Sequence, residues 1–138
     1  MNKKNVTILI LDDEENILSS LRRILETQGY TIVTKSKPEE AIDFVRNNVV
    51  HVALLDVLMP NMDGITVLNI IKEISGLTQV IMMSAYSTVD RIVSALENGA
   101  NDFLLKPFEN IDDFVKIVEK SINKLERWKK VLSETGAI

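Results

Sequence analysis

Three carboxylates, a hydroxyl and an ammonium stand where short apolar runs stop in this 138-residue chain. Val6-Thr7-Ile8-Leu9-Ile10-Leu11 runs into Asp12 and Asp13, and Val52-Ala53-Leu54-Leu55 runs into Asp56. Val80-Ile81-Met82-Met83 ends at Ser84, and Phe103-Leu104-Leu105 ends at Lys106-Pro107. Crowded like charges disfavour one another's ionisation, and a divalent cation relieves them. Mg²⁺ suits such a place because it takes oxygen ligands and keeps several waters. A carboxylate can also act as a nucleophile and form an aspartyl-phosphate, with metal and ammonium neutralising the transferred group. Each residue alone has a plainer use: acidic pairs begin helices, Asp ends strands in turns, Ser caps and Lys is solvated. The conjunction is what points to phosphoryl transfer.

For these side chains to meet, the runs must be strands of one parallel sheet. Short apolar runs bounded by polar residues read as strands buried on both faces, and open α/β sheets bind ligands along their carboxyl edge. Helical periodicity fills the intervals. Ile17, Leu18, Leu21, Ile24 and Leu25 repeat at three and four before Gly29. Thr31-Ile32-Val33-Thr34 is a β-branched run, and Pro38 opens a helix carrying Ala41, Ile42 and Val45. Turn residues from Met59 to Gly64 precede a helix through Ile65, Val67, Leu68, Ile71 and Ile74, and another carries Val89, Ile92, Val93 and Leu96. The last helix begins near Ile111 and runs past Val131. Five strands alternating with five helices imply an α/β fold: a five-stranded parallel sheet, doubly wound into a three-layer sandwich.

Composition narrows the class. With 46% apolar and 26% charged residues the chain reads as one globular domain, and a net charge of −4 leaves no global nucleic-acid footprint. Zero cysteines exclude disulfides and thiolate metal sites. No apolar run approaches the ~20 residues that span a bilayer. The amino-terminal apolar segment is too short and too acidic at its end for a signal peptide, so a cytoplasmic location is expected.

The motifs resemble the receiver domain of two-component response regulators, a flavodoxin-like, chemotaxis-regulator-like fold. The matching pieces are Leu11-Asp12-Asp13, the stretch from Leu55 through Asp56-Val57-Leu58-Met59-Pro60 to Asp63-Gly64, Met83-Ser84-Ala85-Tyr86, and Asn98-Gly99 through Lys106-Pro107-Phe108. They run in order from about Val6 to about Leu125. The resemblance implies a signalling receiver rather than a turnover enzyme. Asp56 would take a phosphoryl group from a phosphohistidine of a sensor kinase or phosphotransfer protein. Asp12 or Asp13, Asp56 and the Leu58 carbonyl would hold Mg²⁺, while Ser84 and Lys106 contact phosphoryl oxygens. Lys106-Pro107 would be a cis bond. Phe103 would be the switch aromatic that follows Ser84, lacking the hydroxyl of relatives with Tyr there. The helix from Thr88 to Asn98, the strand at Phe103 and the last helix would form the signalling face, for a partner or a homodimer. No direct nucleic-acid or membrane contact is expected of this domain. Residues 1–126 would form the receiver and 127–138 an extension of the last helix or a linker tail, including a possible short coiled coil. Leu58 and Tyr86, beside the water path in this family, offer no group to orient a water, which implies a long-lived phosphorylated state.

Three rivals share the architecture. A flavodoxin-type cofactor binder wants a Gly/Ser/Thr-rich phosphate loop after the first strand, where Asp12-Asp13-Glu14-Glu15 would repel phosphate. A haloacid-dehalogenase-like phosphatase wants Asp-x-Asp, and here the acids are adjacent. A silent interaction domain of the same fold would not need the complete five-residue set. His51, Met82 and Met83 read as packing residues, and Trp128 as either packed on a neighbouring helix or marking a partner contact.

Overall fold

The computed structural model describes residues 1–86 and 88–136; Ser87 and the last two positions of the expected tail lie outside the described residues. Strands β1 (Thr7–Leu11), β2 (Thr31–Lys35), β3 (Val52–Asp56), β4 (Gln79–Ser84) and β5 (Asp102–Leu105) alternate with helices α1 (Glu15–Thr27), α2 (Pro38–Asn47), α3 (Gly64–Ile74), α4 (Val89–Glu97) and α5 (Ile111–Glu134). A short 3-10 turn at Lys3–Asn5 precedes β1, so Val6 caps that turn instead of opening the strand. All strands are parallel, in the order β2-β1-β3-β4-β5. The chain reverses its winding between β1 and β3, and the loop carrying Asp12-Asp13 and the loop between Asp56 and Gly64 leave the sheet there.

Two apolar layers hold the sandwich. Ile8, Ile10, Val52, Leu54, Ile81 and Met83 point to α1 and α5, meeting Leu21, Leu25, Phe114, Val118 and Ile122. The alternate residues Leu9, Leu11, Ala53, Leu55, Val80 and Met82 meet α2, α3 and α4 through Ala41, Val45, Val67, Leu68, Ile71 and Ala95. Both faces of the central strands are therefore covered, which is why they read as unbroken apolar runs. Leaving that core for water is possible only at the strand ends, and the polar residues sit there.

Helix boundaries follow local chemistry. Pro38 occupies the first turn of α2. Asp63, Thr88 and Asn110 cap α3, α4 and α5 by accepting from the Ile65, Arg91 and Asp113 amides. Gly99, with φ of +98°, turns the chain out of α4 in a conformation that costs a side chain. The long α5 is continuous, but Leu125 is its last buried residue; Trp128 beyond it is 43% exposed. Among the described residues no helix is long and apolar enough to cross a membrane.

Candidate phosphoacceptor site

The register of the sheet brings the strand ends together. Leu11 pairs with Leu55, Asp56 with Met83, and Ser84 with Leu105, so Asp12, Asp56, Ser84 and Lys106 emerge side by side. Backbone bonds tie the loops: the Val57 amide donates to Met83 O, the Gly64 amide to Val57 O and the Lys106 amide to Ser84 O, each at 2.9 Å. Gly64 is required by crowding. A Cβ there would lie 2.2 Å from the Asp56 carbonyl oxygen and 2.8 Å from Val57 Cα.

Asp12 is fully buried and Asp56 only 5% exposed, while Asp13 reaches solvent. One oxygen from each lies within 4.8 Å of the others. The Lys106 ammonium donates to Asp12 Oδ2 at 2.5 Å and stands 3.5 Å from Asp56 Oδ1. Asp12 Oδ1 accepts from the Glu14 amide at 2.9 Å, which fixes the acid and starts α1. Asp13, Glu14, Asp56, Leu58, Ser84, Ala85, Tyr86 and Lys106 line a cavity of about 220 Å³ above the cluster.

Burial and the Asp12 charge raise the Asp56 carboxyl from its ordinary 3.8 to about 6, against the pull of Lys106. Burial works to lower the Lys106 ammonium, but its bond to Asp12 and the charges of Asp56, Asp12 and Glu14 together outweigh that and raise it. Asp56 is thus mostly ionised near neutral pH, beside a charged lysine. One ammonium cannot neutralise three carboxylates. The set is rich in oxygen donors and poor in positive charge, which fits a hard divalent cation.

Ser84 is buried at the rim, and its hydroxyl is already engaged: it donates to Tyr86 O at 3.0 Å and accepts from Tyr86 N at 3.2 Å. Phe103 is half-buried against the layer shared by α2, α3 and α4. The Lys106–Pro107 peptide is cis. Leu58 is 42% and Tyr86 78% exposed. Reasoning from strand ends alone passes over Glu14, which also lines the cavity, and over the steric demand at Gly64. The acidic run after β1 was the only sequence signal for the first. His51 lies at the opposite edge, where its Nδ1 accepts from the Thr7 amide at 3.0 Å.

A doubly wound parallel sheet with a buried acidic cluster and a lysine at its carboxyl edge defines a phosphoacceptor signalling domain. Residues 8–119 match the response regulator receiver domain, and the chain belongs to that family, which receives signals in two-component systems. It is 35% identical over 122 residues to the transcriptional regulatory protein ZraR of Escherichia coli K12, covering 88% of this chain and 27% of that protein. It is 37% identical over 116 residues to the DNA-binding transcriptional regulator NtrC of the same organism, covering 84% and 24%. The chain therefore spans about a quarter of the length of these relatives. Among solved structures it is similar to a CheY-like receiver domain from Methanospirillum hungatei, with a TM-score of 0.85 at 28% identity over 88% of this chain and 97% of that one. The beryllofluoride-activated NtrC4 receiver domain dimer has a TM-score of 0.82 at 36% identity, over 86% and 98%.

Proposed function

We propose that Asp56 accepts a phosphoryl group from a phosphohistidine of a sensor kinase or phosphotransfer protein, with Mg²⁺ bound beside it. The observation that carries this reading is the placement of the Lys106 ammonium against buried Asp12 and Asp56, with an Asp13 oxygen within 4.8 Å. Asp12, Asp13, Asp56 and the Leu58 carbonyl would hold the cation, which neutralises charge on the phosphoryl oxygens when bound. Asp56 attacks phosphorus as the donor's phosphorus–nitrogen bond breaks. Lys106 moves from its carboxylate partners toward the new phosphoryl oxygens, and Ser84 exchanges the Tyr86 backbone for them.

Loss of the Ser84–Tyr86 bonds frees the segment leading into α4, and Phe103 follows inward. The face of α4, β5 and α5 then changes shape. Its apolar exposure supports a docking role: Val89 is 76%, Leu96 53%, Leu105 60% and Ile111 53% exposed. The similar NtrC4 receiver was solved as an activated dimer, and a homodimer through this face or through the exposed end of α5 is the corresponding expectation here. Residues 1–126 form the receiver in this reading, and 127–138 a helical extension or linker. Leu58 and Tyr86 shield the phosphoryl group without orienting water, so its lifetime is long; Leu58→Asn should shorten it, and an unchanged decay would remove that part of the proposal.

Incubation with Mg²⁺ and acetyl phosphate, followed by intact mass, tests the core of the reading. One added phosphoryl group is expected, lost with EDTA and in Asp56→Asn. A folded wild-type protein that gains neither phosphate nor beryllofluoride would return the silent interaction domain to first place.

A further inference from the structure

We propose that Glu14 selects phosphoryl donors by charge, as an acidic gate at the mouth of the Asp56 cavity. This rests on the phosphoacceptor reading above and concerns which donors reach it. Glu14 holds the N-cap position of α1, a place usually given to a side chain that bonds the first amides. Its carboxylate does not do so. The Glu14 main chain completes the turn instead, its amide on Asp12 Oδ1 and its carbonyl accepting from Ile17 and Leu18. Among the described residues the carboxylate has no hydrogen-bond or ion-pair partner. Glu14 is exposed and is one of the residues lining the cavity with Asp56, Ser84 and Lys106, and its charge acts on the Lys106 ammonium.

The charge count singles it out. With a divalent cation bound, the carboxylates of Asp12, Asp13 and Asp56, the Lys106 ammonium and the cation sum to zero. Glu14 then contributes the uncompensated charge, and it stands at solvent, where an incoming donor must pass. A fixed negative charge at a cavity mouth slows anions in proportion to their charge, and salt weakens the effect. Acetyl phosphate is a dianion at neutral pH, and phosphoramidate carries a net single negative charge. Both transfer the same group: the Asp56 oxygen–phosphorus bond forms as acetate or ammonia leaves with the electrons of the broken bond. A donor histidine brought by a protein partner has its approach governed by the larger interface, so the gate discriminates against free acyl phosphates.

The test measures initial rates of mass gain with each donor at saturating Mg²⁺, for wild type, Glu14→Gln and Glu14→Lys. At low ionic strength Glu14→Gln should raise the acetyl phosphate to phosphoramidate rate ratio about threefold, the effect of one unit charge several ångströms away in water. Glu14→Lys should raise it further, and the differences should shrink toward ~1 M salt, where the Debye length is about 3 Å. An unchanged ratio, or equal changes for both donors that salt does not alter, would overturn the proposal and leave the phosphoacceptor reading standing. Failure of the wild type to gain mass from either donor would overturn both.

Discussion

Asp56 is held in a protonation state that works against folding, and the sign of the effect is fixed by its raised pKa. Below the ordinary value of 3.8 the carboxyl is protonated in both folded and unfolded chains. As pH rises the unfolded chain ionises first and the folded protein only near 6, so stability falls through that window and stays lower above it. The metal-free protein should therefore gain on the order of 2–3 kcal/mol at pH 7.5 from Asp56→Asn, since each pKa unit is worth about 1.4 kcal/mol. Urea unfolding in EDTA measures it, and Mg²⁺ should narrow the gap by stabilising the wild type. His51 acts in the opposite direction. Burial and the nearby Lys129 charge lower its pKa below the ordinary 6.5, so stability is lost as pH falls through 6.5, where the unfolded chain begins to take up a proton the folded one refuses. In an Asp56→Asn background the urea midpoint should drop from pH 7 to pH 5.5, and His51→Gln should flatten the slope. The crowding of carboxylates that helps raise Asp56 was legible in the sequence, whereas the depth of its burial and the titration of His51 were not. Asp12, Asp56 and Ser84 could be placed because each stands at the end of a strand buried on both faces, and Lys106 because it follows the short apolar run of edge strand β5. The pairing of Ser84 with Tyr86 and the acceptance by His51 of the Thr7 amide depend on loop paths and register that no periodicity encodes.

At the scale of elements, the joint between β3 and α3 is the least forgiving. Gly64 opens α3 against the backbone of Asp56 and Val57, and a Cβ added there would overlap the Asp56 carbonyl oxygen. Gly64→Ala should cost about 3 kcal/mol or more, because backbone must move to relieve the overlap. It should also slow phosphorylation of whatever folded protein remains, by displacing the acid it adjoins; unchanged thermal melting would refute the crowding argument. Strand and helix order was readable because short unbroken apolar runs alternate with segments of helical period. Boundaries were less so. Val6 opens an apolar run but caps the 3-10 turn, and Gln79 and Asp102 stand just before apolar runs yet begin β4 and β5. Polar residues at the amino ends of strands leave no apolar signal, although the backbone ladder includes them.

For the molecule as a whole, the division between packed body and exposed helix falls after Leu125. Removal of residues 127–138 should change stability by less than about 1 kcal/mol, as expected of surface positions outside the core. Removal from Ile122 onward should cost several times more, since Ile122 and Leu125 are buried; paired urea curves compare the two, and sedimentation of the shorter form tests whether α5 carries self-association. The sheet order β2-β1-β3-β4-β5 has a separate consequence. The Lys106–Asp12 ion pair closes a span of 94 residues, and Lys106 hangs from β5, an edge strand of four residues in which only Leu104 is buried. Contacts so distant in sequence form late in folding, and short edge strands open first under native conditions. A nascent chain that has emerged only through β4 holds the three carboxylates with no ammonium among them. In the mature protein, transient peeling of β5 returns the cluster to that state while β1 and β3 stay paired. Amide exchange at Lys106, whose N–H is bonded to Ser84 O, should therefore run faster than exchange in β3. The complete charge set exists only while the last strand is in place.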